Sequence, residues 1–378
     1  MKIVCDNKIP FLRGVLEPYA EVVYKPGKET TPELVSDADA LITRTRTKCN
    51  ESLLKGSKVQ VIATATIGFD HIDTAWCDRN GIYWDNAPGC NSGSVQQYIA
   101  SVLVTLAQKY GFSLADKTLG VVGVGHVGRK VARIAELLGM KVLLNDPPRA
   151  RAEGPAGFVS LDEICAQSDL ITIHVPLQRE GEDATWHLFD RARLESLRPD
   201  QILINSSSGP VVDNAALKDV LQGGGLQAAV LDVWEGEPDL DPELVWALAI
   251  STPHIAGYSA DGKANGTSAA VQTVSRTLGL PLATWQVEDI PAPPQALEFL
   301  IDAADKSLQD VLTEAVLHTY DVSQDSNALR GALDQFERLR GDYPVRREFP
   351  AFTVLLKDGT PEMADRLAQI GFNVVKQS

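Results

Sequence analysis

A chain of 378 residues at roughly 150 per domain holds two or three domains, and 44% hydrophobic with 22% charged side chains is the balance of a core-forming protein, not of a disordered tail or a small disulfide scaffold. Fifty acidic against 35 basic residues give a net charge of −15, so nucleic acid and anionic membrane are not expected partners and any anionic ligand must meet a local basic cluster. Five scattered cysteines (Cys5, Cys49, Cys77, Cys90, Cys165) without a CxxC pair read as reduced thiols, with no metal site expected.

The opening MKIVCDNKIPF puts Asp6 and Lys8 where a signal peptide needs an apolar run, and no stretch nears roughly 18 apolar residues, so a cytoplasmic location is expected. Apolar runs at Lys2–Cys5, Ala38–Ile42 and Val59–Thr64 predict strands of a first α/β segment reaching to about residue 90. Ser94 is then expected to open a helix. Ser94-Val-Gln-Gln97 has the form of a capping box, and Val95, Tyr98, Ile99, Val102, Leu103 and Leu106 recur at i, i+3, i+4, i+7. From Asp116 to Pro253, candidate strands at Leu119–Val122, Lys141–Asn145, Leu170–Val175, Gln201–Ile204, Ala228–Leu231 and Ala249–Ser251 alternate with helical stretches. Several are continuous apolar runs, as parallel strands covered on both faces require, and the block reads as one doubly wound α/β domain. Within it, Ser160-Leu-Asp-Glu163 is a capping box and Gly139 is placed to end a helix begun near Gly125. One more helical stretch runs to about Leu280, IPAPP at 290–294 marks a boundary, and the chain closes on a strand-helix-strand pattern (Phe352–Leu356, Pro361–Ile370, Phe372–Val375).

The sequence Leu119-Gly-Val-Val-Gly123-Val-Gly125-His126-Val127-Gly128 follows a predicted strand and opens a predicted helix. Gly123 allows the tight turn, Gly125 lets backbone approach a pyrophosphate, and Gly128 lets helix and sheet pack closely, with the helix N-terminus facing the phosphates. About 20 residues on, Asp146 stands where a carboxylate binds the adenosine ribose 2′-hydroxyl and repels a 2′-phosphate, which favours NAD over NADP. The neighbouring Arg149 tempers that preference. Three acid–base candidates follow at strand ends: Asp232 and Glu237 in LDVWEGEP, and His254 in TPHIAGY. A histidine paired with a carboxylate is a proton acceptor of raised pKa that donates in the reverse direction.

These residues identify a resemblance to the D-2-hydroxyacid dehydrogenase superfamily over essentially the whole chain, through ATATIGFDHID (63–73), APGCNSGSV (87–95), GVVGVGHVG (120–128), NDPPR (145–149), LDVWEGEPD (231–239) and PHIAGYSADGKANGT (253–267). NDPPR and HIAGYSADGK set its branch apart from lactate and glycerate relatives. The resemblance implies oxidation of the 2-hydroxyl of 4-phospho-D-erythronate, a vitamin B6 precursor, with NAD as cofactor. It implies His254 as proton donor and acceptor, Glu237 as its partner and Asp232 on the nicotinamide side. Cofactor contacts fall on Asp146, Val175, Ser206, Ser207, Ser208 and Gly257, and substrate contacts on Thr45, Thr66 and Tyr258. The fold implied is a flavodoxin-like discontinuous substrate domain (1–95 with 257–285), a Rossmann-type NAD domain (96–256) and a small α+β module (286–378) that makes a homodimer. Hinge closure would then exclude water from the reaction.

One position departs from the pattern. The family carries an Arg inside N-x-[SC]-R-G-x-V-V, where this chain has Asn205-Ser-Ser-Ser208-Gly-Pro-Val-Val212. That Arg would grip the substrate carboxylate bidentately, and losing one partner of a desolvated charge pair costs about 2–5 kcal/mol. Three readings fit: serine donors helped by another base, an inactivated variant, or a paralogue that binds without turnover. A dehydrogenase for another D-2-hydroxy acid is the alternative within enzymes. For the phosphate, Arg44 and Arg46 in Arg44-Thr-Arg46-Thr-Lys48 are one candidate cluster and Arg346-Arg347 a second.

Overall fold

The computed structural model describes residues 1–377, which divide into two compact units, residues 1–91 with 260–291 and residues 92–259 with 292 onward. In the first, β1 (Lys2–Asp6), β2 (Glu21–Lys25), β3 (Ala40–Thr43), β4 (Val61–Thr64) and β5 (Tyr83–Asp85) form a wholly parallel sheet in the order β2-β1-β3-β4-β5. The central strands β3 and β4 are buried along their whole length, as runs of Ala, Leu, Ile, Val and Thr allow. The helix Ala260–Leu278 packs Ala270, Val271 and Val274 onto one face of this sheet, against Ile3, Ile42 and Val61.

In the second unit, β6 (Thr118–Val122), β7 (Lys141–Asn145), β8 (Leu170–Ile173), β9 (Ile202–Asn205), β10 (Ala228–Leu231) and β11 (Ile250–Ser251) form a six-stranded parallel sheet in the order β11-β10-β9-β8-β6-β7. The chain runs outward from β6 to β7 and then returns to place β8 on the other side of β6. The carboxyl ends of β6 and β8 therefore diverge into loops on opposite sides, the crevice where open α/β sheets bind ligands. A third sheet, β12 (Glu298–Asp302), β13 (Thr353–Lys357) and β14 (Asn373–Gln377), is parallel in sequence order.

The small α+β module expected at 286–378 is present as this sheet and its helices, and it packs into the same compact unit as the six-stranded sheet. Its Ile301, Val311, Val316, Phe352, Leu367 and Phe372 belong to one continuous apolar cluster with Tyr98, Leu103, Val121 and Ile134, so it shares a core with the six-stranded unit. The boundaries expected at 95/96 and 256/257 lie at 91/92 and 259/260. Ser94 is also not a helix cap. The helix starts at Ser92, and Ser94, fully buried in its first turn, donates from Oγ to the Ala256 carbonyl (2.8 Å) and accepts from the Ser259 amide (2.9 Å). Gln97 spends its amide on Thr319 and the Arg347 carbonyl instead of closing a box. A capping pattern is short enough to occur by composition, and here tertiary partners took both polar groups. The box at Ser160 and Glu163 does form.

Candidate active site

The glycines after β6 have the spacing a dinucleotide cradle needs. Gly123 has a φ of +87°, and a Cβ there would lie 2.5 Å from the His174 carbonyl; at Gly128 it would lie 1.9 Å from the Gly123 carbonyl. Both positions exclude a side chain. At Gly125 a Cβ would meet nothing within 4 Å, so the backbone is bare on the side a ligand would approach. Gly125 caps the helix His126–Leu137 without a side-chain hydrogen bond, leaving the first-turn amides to an anion. His126 is exposed, Val127 half-buried, and Val175, just beyond β8, lies against Gly123. Asp146, the first residue after β7, accepts from the Val124 amide (2.8 Å) and the Arg149 amide (3.0 Å), which fixes its carboxylate beside the glycine loop. The Arg149 guanidinium stays beside the loop, with Nη1 donating to the Val124 carbonyl (2.7 Å), and is paired on its other edge with Glu153 (2.8 and 2.6 Å), so the cation that tempered the NAD preference already has its anion. These residues fit NAD.

Beyond β9 the chain turns on Asn205, whose Oδ1 accepts from the Ser207 amide and hydroxyl and whose Nδ2 donates to the Ser208 carbonyl (2.9 Å). Ser206, Ser207 and Ser208 are half-buried, and Ser208 is extended (φ −144°, ψ 136°). Gly209 then passes so close to the Trp234 carbonyl that a Cβ would sit 2.1 Å from it, which seats the serine loop on the segment carrying Glu237.

The acid–base pair is formed. His254 Nδ1 lies 2.8 Å and 3.1 Å from the two Glu237 carboxylate oxygens, and Glu237 Oε1 also accepts from the Trp234 amide (3.0 Å). A carboxylate can only accept, so Nδ1 carries the hydrogen and Nε2 is left with the lone pair. Burial opposes the imidazolium, but the Glu237 hydrogen bond and the negative charges of Asp232 and Glu237 outweigh it, with the Arg340 guanidinium opposing; the net effect raises the His254 pKa above its ordinary value. His254 itself takes a φ of +57°, an uncommon conformation for a side chain this size.

Asp232, one of the three acid–base candidates, is enclosed by hydrogen-bond donors. Only 1% exposed, it accepts from the Thr252 hydroxyl (2.6 Å) and the Ile255 amide (2.8 Å) on one oxygen and the Ala256 amide (2.9 Å) on the other. It therefore ties down both sides of His254, and the Tyr98 hydroxyl (2.8 Å from Thr252 Oγ1) extends the network into the core. Gly257 and Tyr258 follow half-buried, and Tyr258 accepts a hydrogen bond from Arg340 (3.0 Å). Arg340 and Thr252 carried no signal in the sequence, and Tyr98 only that of a buried helix position. Arg346 corrects an expectation. At 4% exposure it is no surface base for a phosphate: it donates to Ser94 Oγ and to the carbonyls of Ile255 (3.2 Å) and Ala256 (2.6 Å), with Tyr320 stacked 4.4 Å away.

In the first unit, Arg44, Thr45 and Arg46 follow β3 directly, with Thr45 and Arg46 exposed and Arg44 donating to the Lys8 carbonyl at 3.3 Å. Thr66, two residues past β4, bonds the Thr64 hydroxyl (2.7 Å) and donates to the Gly68 carbonyl (2.9 Å), so its hydroxyl already shapes its own loop.

Comparison with known proteins agrees with this geometry. Residues 94–256 match the NAD-binding domain of D-isomer-specific 2-hydroxyacid dehydrogenases, and residues 293–371 match a domain of unknown function, DUF3410. The chain is 50% identical over 357 residues to erythronate-4-phosphate dehydrogenase of Bacteroides fragilis, covering 94% of this chain and 99% of that one. It is 42% identical over 378 residues to the protein of the same name from Klebsiella pneumoniae, covering 99% of each. Among solved structures, D-lactate dehydrogenase from Aquifex aeolicus complexed with NAD and lactic acid is 26% identical with a TM-score of 0.60, over 74% of this chain and 96% of that chain.

Proposed function

We propose, for a chain that belongs to the erythronate-4-phosphate dehydrogenases of the D-2-hydroxyacid dehydrogenase superfamily, that it oxidises the 2-hydroxyl of 4-phospho-D-erythronate to the 2-oxo acid in vitamin B6 synthesis. The protein is an NAD-dependent oxidoreductase of the 2-hydroxyacid class. NAD, when bound, supplies the acceptor for the hydrogen and two electrons of C2. His254 Nε2 takes the hydroxyl proton, and Glu237 holds Nδ1–H and stabilises the imidazolium that results. Asp232 keeps the 252–256 loop in place through its three hydrogen bonds. Gly123, Gly125 and Gly128 receive the pyrophosphate, Asp146 the ribose, and Val175, Ser206–Ser208 and Gly257 line the nicotinamide end.

The single observation carrying this reading is the His254–Glu237 pair at 2.8 Å, standing at the carboxyl end of the sheet that holds the glycine loop. For Thr45, Thr66, Arg44 and Arg46 the support is the family resemblance. With the boundaries moved to those of the compact units, residues 1–91 with 260–291 are assigned to substrate, 92–259 to NAD and the segment from 292 onward to dimerisation, in a cytoplasmic enzyme. Support for the homodimer comes from β12–β14: Leu300, Leu355 and Val375 are paired across the three strands on one face, and Leu300 and Val375 are 52% and 48% exposed. An apolar row on a sheet face is surface that a second copy would cover. No helix among the described residues is long and apolar enough to cross a membrane.

Anaerobic mixing of the protein and NAD with 4-phospho-D-erythronate tests the reading through NADH absorbance. D-Erythronate, which lacks the phosphate, should turn over far more slowly; equal rates would point to another 2-hydroxy acid. A catalytically silent NAD-binding protein is the second reading, favoured by Ser208, and predicts calorimetric binding of NAD with no turnover of any 2-hydroxy acid.

A further inference from the structure

We infer that Arg340, brought in by the C-terminal segment, grips an anionic end of the 2-hydroxy acid beside His254, a task for which Ser208 has no charge; this rests on the dehydrogenase reading above. Two arginines flank each other on the short helix Phe336–Gly341 and differ sharply. The Arg338 side chain is 72% exposed, an ordinary solvated base. That of Arg340 is 20% exposed, and its Nη2 donates to the Tyr258 hydroxyl at 3.0 Å. Its carboxylate neighbour, Glu337, is 3.5 Å from Nη1 and largely in water, too long for a strong charge-assisted bond. Its Nε is buried without a hydrogen-bond partner in the structure.

A guanidinium has five donors in a planar fork, matched to a carboxylate or phosphate. Here one is spent on a tyrosine, one is poorly matched, and the buried Nε–H has no acceptor. A ligand oxygen would satisfy what the protein leaves over. Position decides which ligand. Tyr258 is four residues beyond His254, so the hydrogen bond from Arg340 to its hydroxyl brings the guanidinium to the segment that carries the base. In a 2-hydroxy acid the carboxylate is bonded to the carbon that carries the reacting hydroxyl, so a cation beside the base is placed to receive it. Arg346, which also packs under the histidine loop, has turned its donors to Ser94 Oγ and backbone carbonyls and cannot serve.

The test is Arg340→Gln and Arg340→Lys in the full chain. Arg340→Gln should raise KM for 4-phospho-D-erythronate by about tenfold or more while KM for NAD moves less than about twofold, with Arg340→Lys in between. The same ratio measured on D-erythronate separates the two anionic ends: a persisting penalty assigns Arg340 to the carboxylate, and its disappearance assigns it to the phosphate. The charged groups acting on His254 are Glu237, Asp232 and Arg340. Removing the one cation should move the acid limb of kcat/KM for oxidation, where neutral His254 is required, to higher pH. Calorimetry of 4-phospho-D-erythronate with the NADH complex gives a readout independent of turnover. No NADH from the unsubstituted protein would defeat the dehydrogenase reading, whereas unchanged substrate KM and calorimetric affinity in a folded, NAD-binding Arg340→Gln protein would overturn the inference. Equal losses for NAD and substrate would overturn it too, by marking a structural role.

Discussion

Replacing Glu237 by glutamine changes one charge at the centre of the site and almost no shape. The Oε1 that accepts from the Trp234 amide can be kept by the amide oxygen, so the turn should survive. What goes is the charge-assisted bond to His254 Nδ1 at 2.8 Å. Hydrogen bonds to charged groups are worth about 1.5–3 kcal/mol, which at 1.36 kcal/mol per decade is roughly 10- to 150-fold in rate if the bond is at full strength only when the imidazole is protonated. With the oxygen held by Trp234, the glutamine NH2 faces Nδ1. It donates where a carboxylate accepted, favouring the tautomer with hydrogen on Nε2, which cannot take a proton from substrate. The loss should therefore reach or exceed the upper part of that range. The pH dependence has a definite sign. Glu237 raises the His254 pKa, so Glu237→Gln lowers it, and the acid limb of kcat/KM for oxidation moves to lower pH even as the plateau falls. Steady-state rates of NADH formation between pH 5 and 10 test both parts. An unchanged plateau, or a limb displaced toward higher pH, would refute this assignment of the pair.

Four further outcomes are expected. Ser208→Arg should increase kcat/KM for 4-phospho-D-erythronate, since the residue is half-buried in extended backbone and its Asn205 bond uses only the main chain; an unchanged or lower rate counts against a missing carboxylate anchor. Asp146→Asn should raise KM for NAD about tenfold and leave that for the acid nearly unaltered, measured by initial rates at fixed second substrate. Burial holds the His174 imidazole down at about 3 while an unfolded chain would titrate near its ordinary value, so the unfolded state binds more protons in that window and stability falls as pH drops from about 6.5 toward 3; urea midpoints of His174→Asn should fall less steeply over the same range. Leu300→Lys with Val375→Asp should shift the protein to monomer in sedimentation velocity without disturbing β12–β14, because both side chains are on the exposed face of their sheet.

The parallel strands with continuous apolar runs, β3, β4, β6, β8, β9 and β10, were legible to within two residues at most ends, since burial on both faces leaves that pattern in the composition. Edge strands divided: β7, β11 and β14 were legible, whereas β2, β5 and β12 were not. Those three each have a neighbour on one side only and sit half in water, so Glu21–Lys25, Tyr83–Asp85 and Glu298–Asp302 keep at most three apolar residues between polar ends. The same division holds in the site. The glycine loop and the His254–Glu237 pair are local patterns with a chemical reason for their spacing. Asp232 looked like a third acid because sequence shows residue type and not burial, and its three donors come from a loop some 20 residues away. Arg340 and Arg346 share the problem in opposite senses. Both stand in charged stretches that resemble solvated surface, and only packing separates the one that bonds Tyr258 from the one enclosed beneath the histidine loop.

Arg346 also determines what the protein can lose. Its guanidinium supports the carbonyls of Ile255 and Ala256, immediately after the histidine, and Asp325, Tyr320 and Tyr343 surround it with a buried hydrogen-bonded cluster. Loss of the chain beyond residue 291 would thus strip one support from the histidine loop and bare the apolar surface of the helix Ser92–Tyr110. The C-terminal segment and the catalytic loop therefore share one buried support.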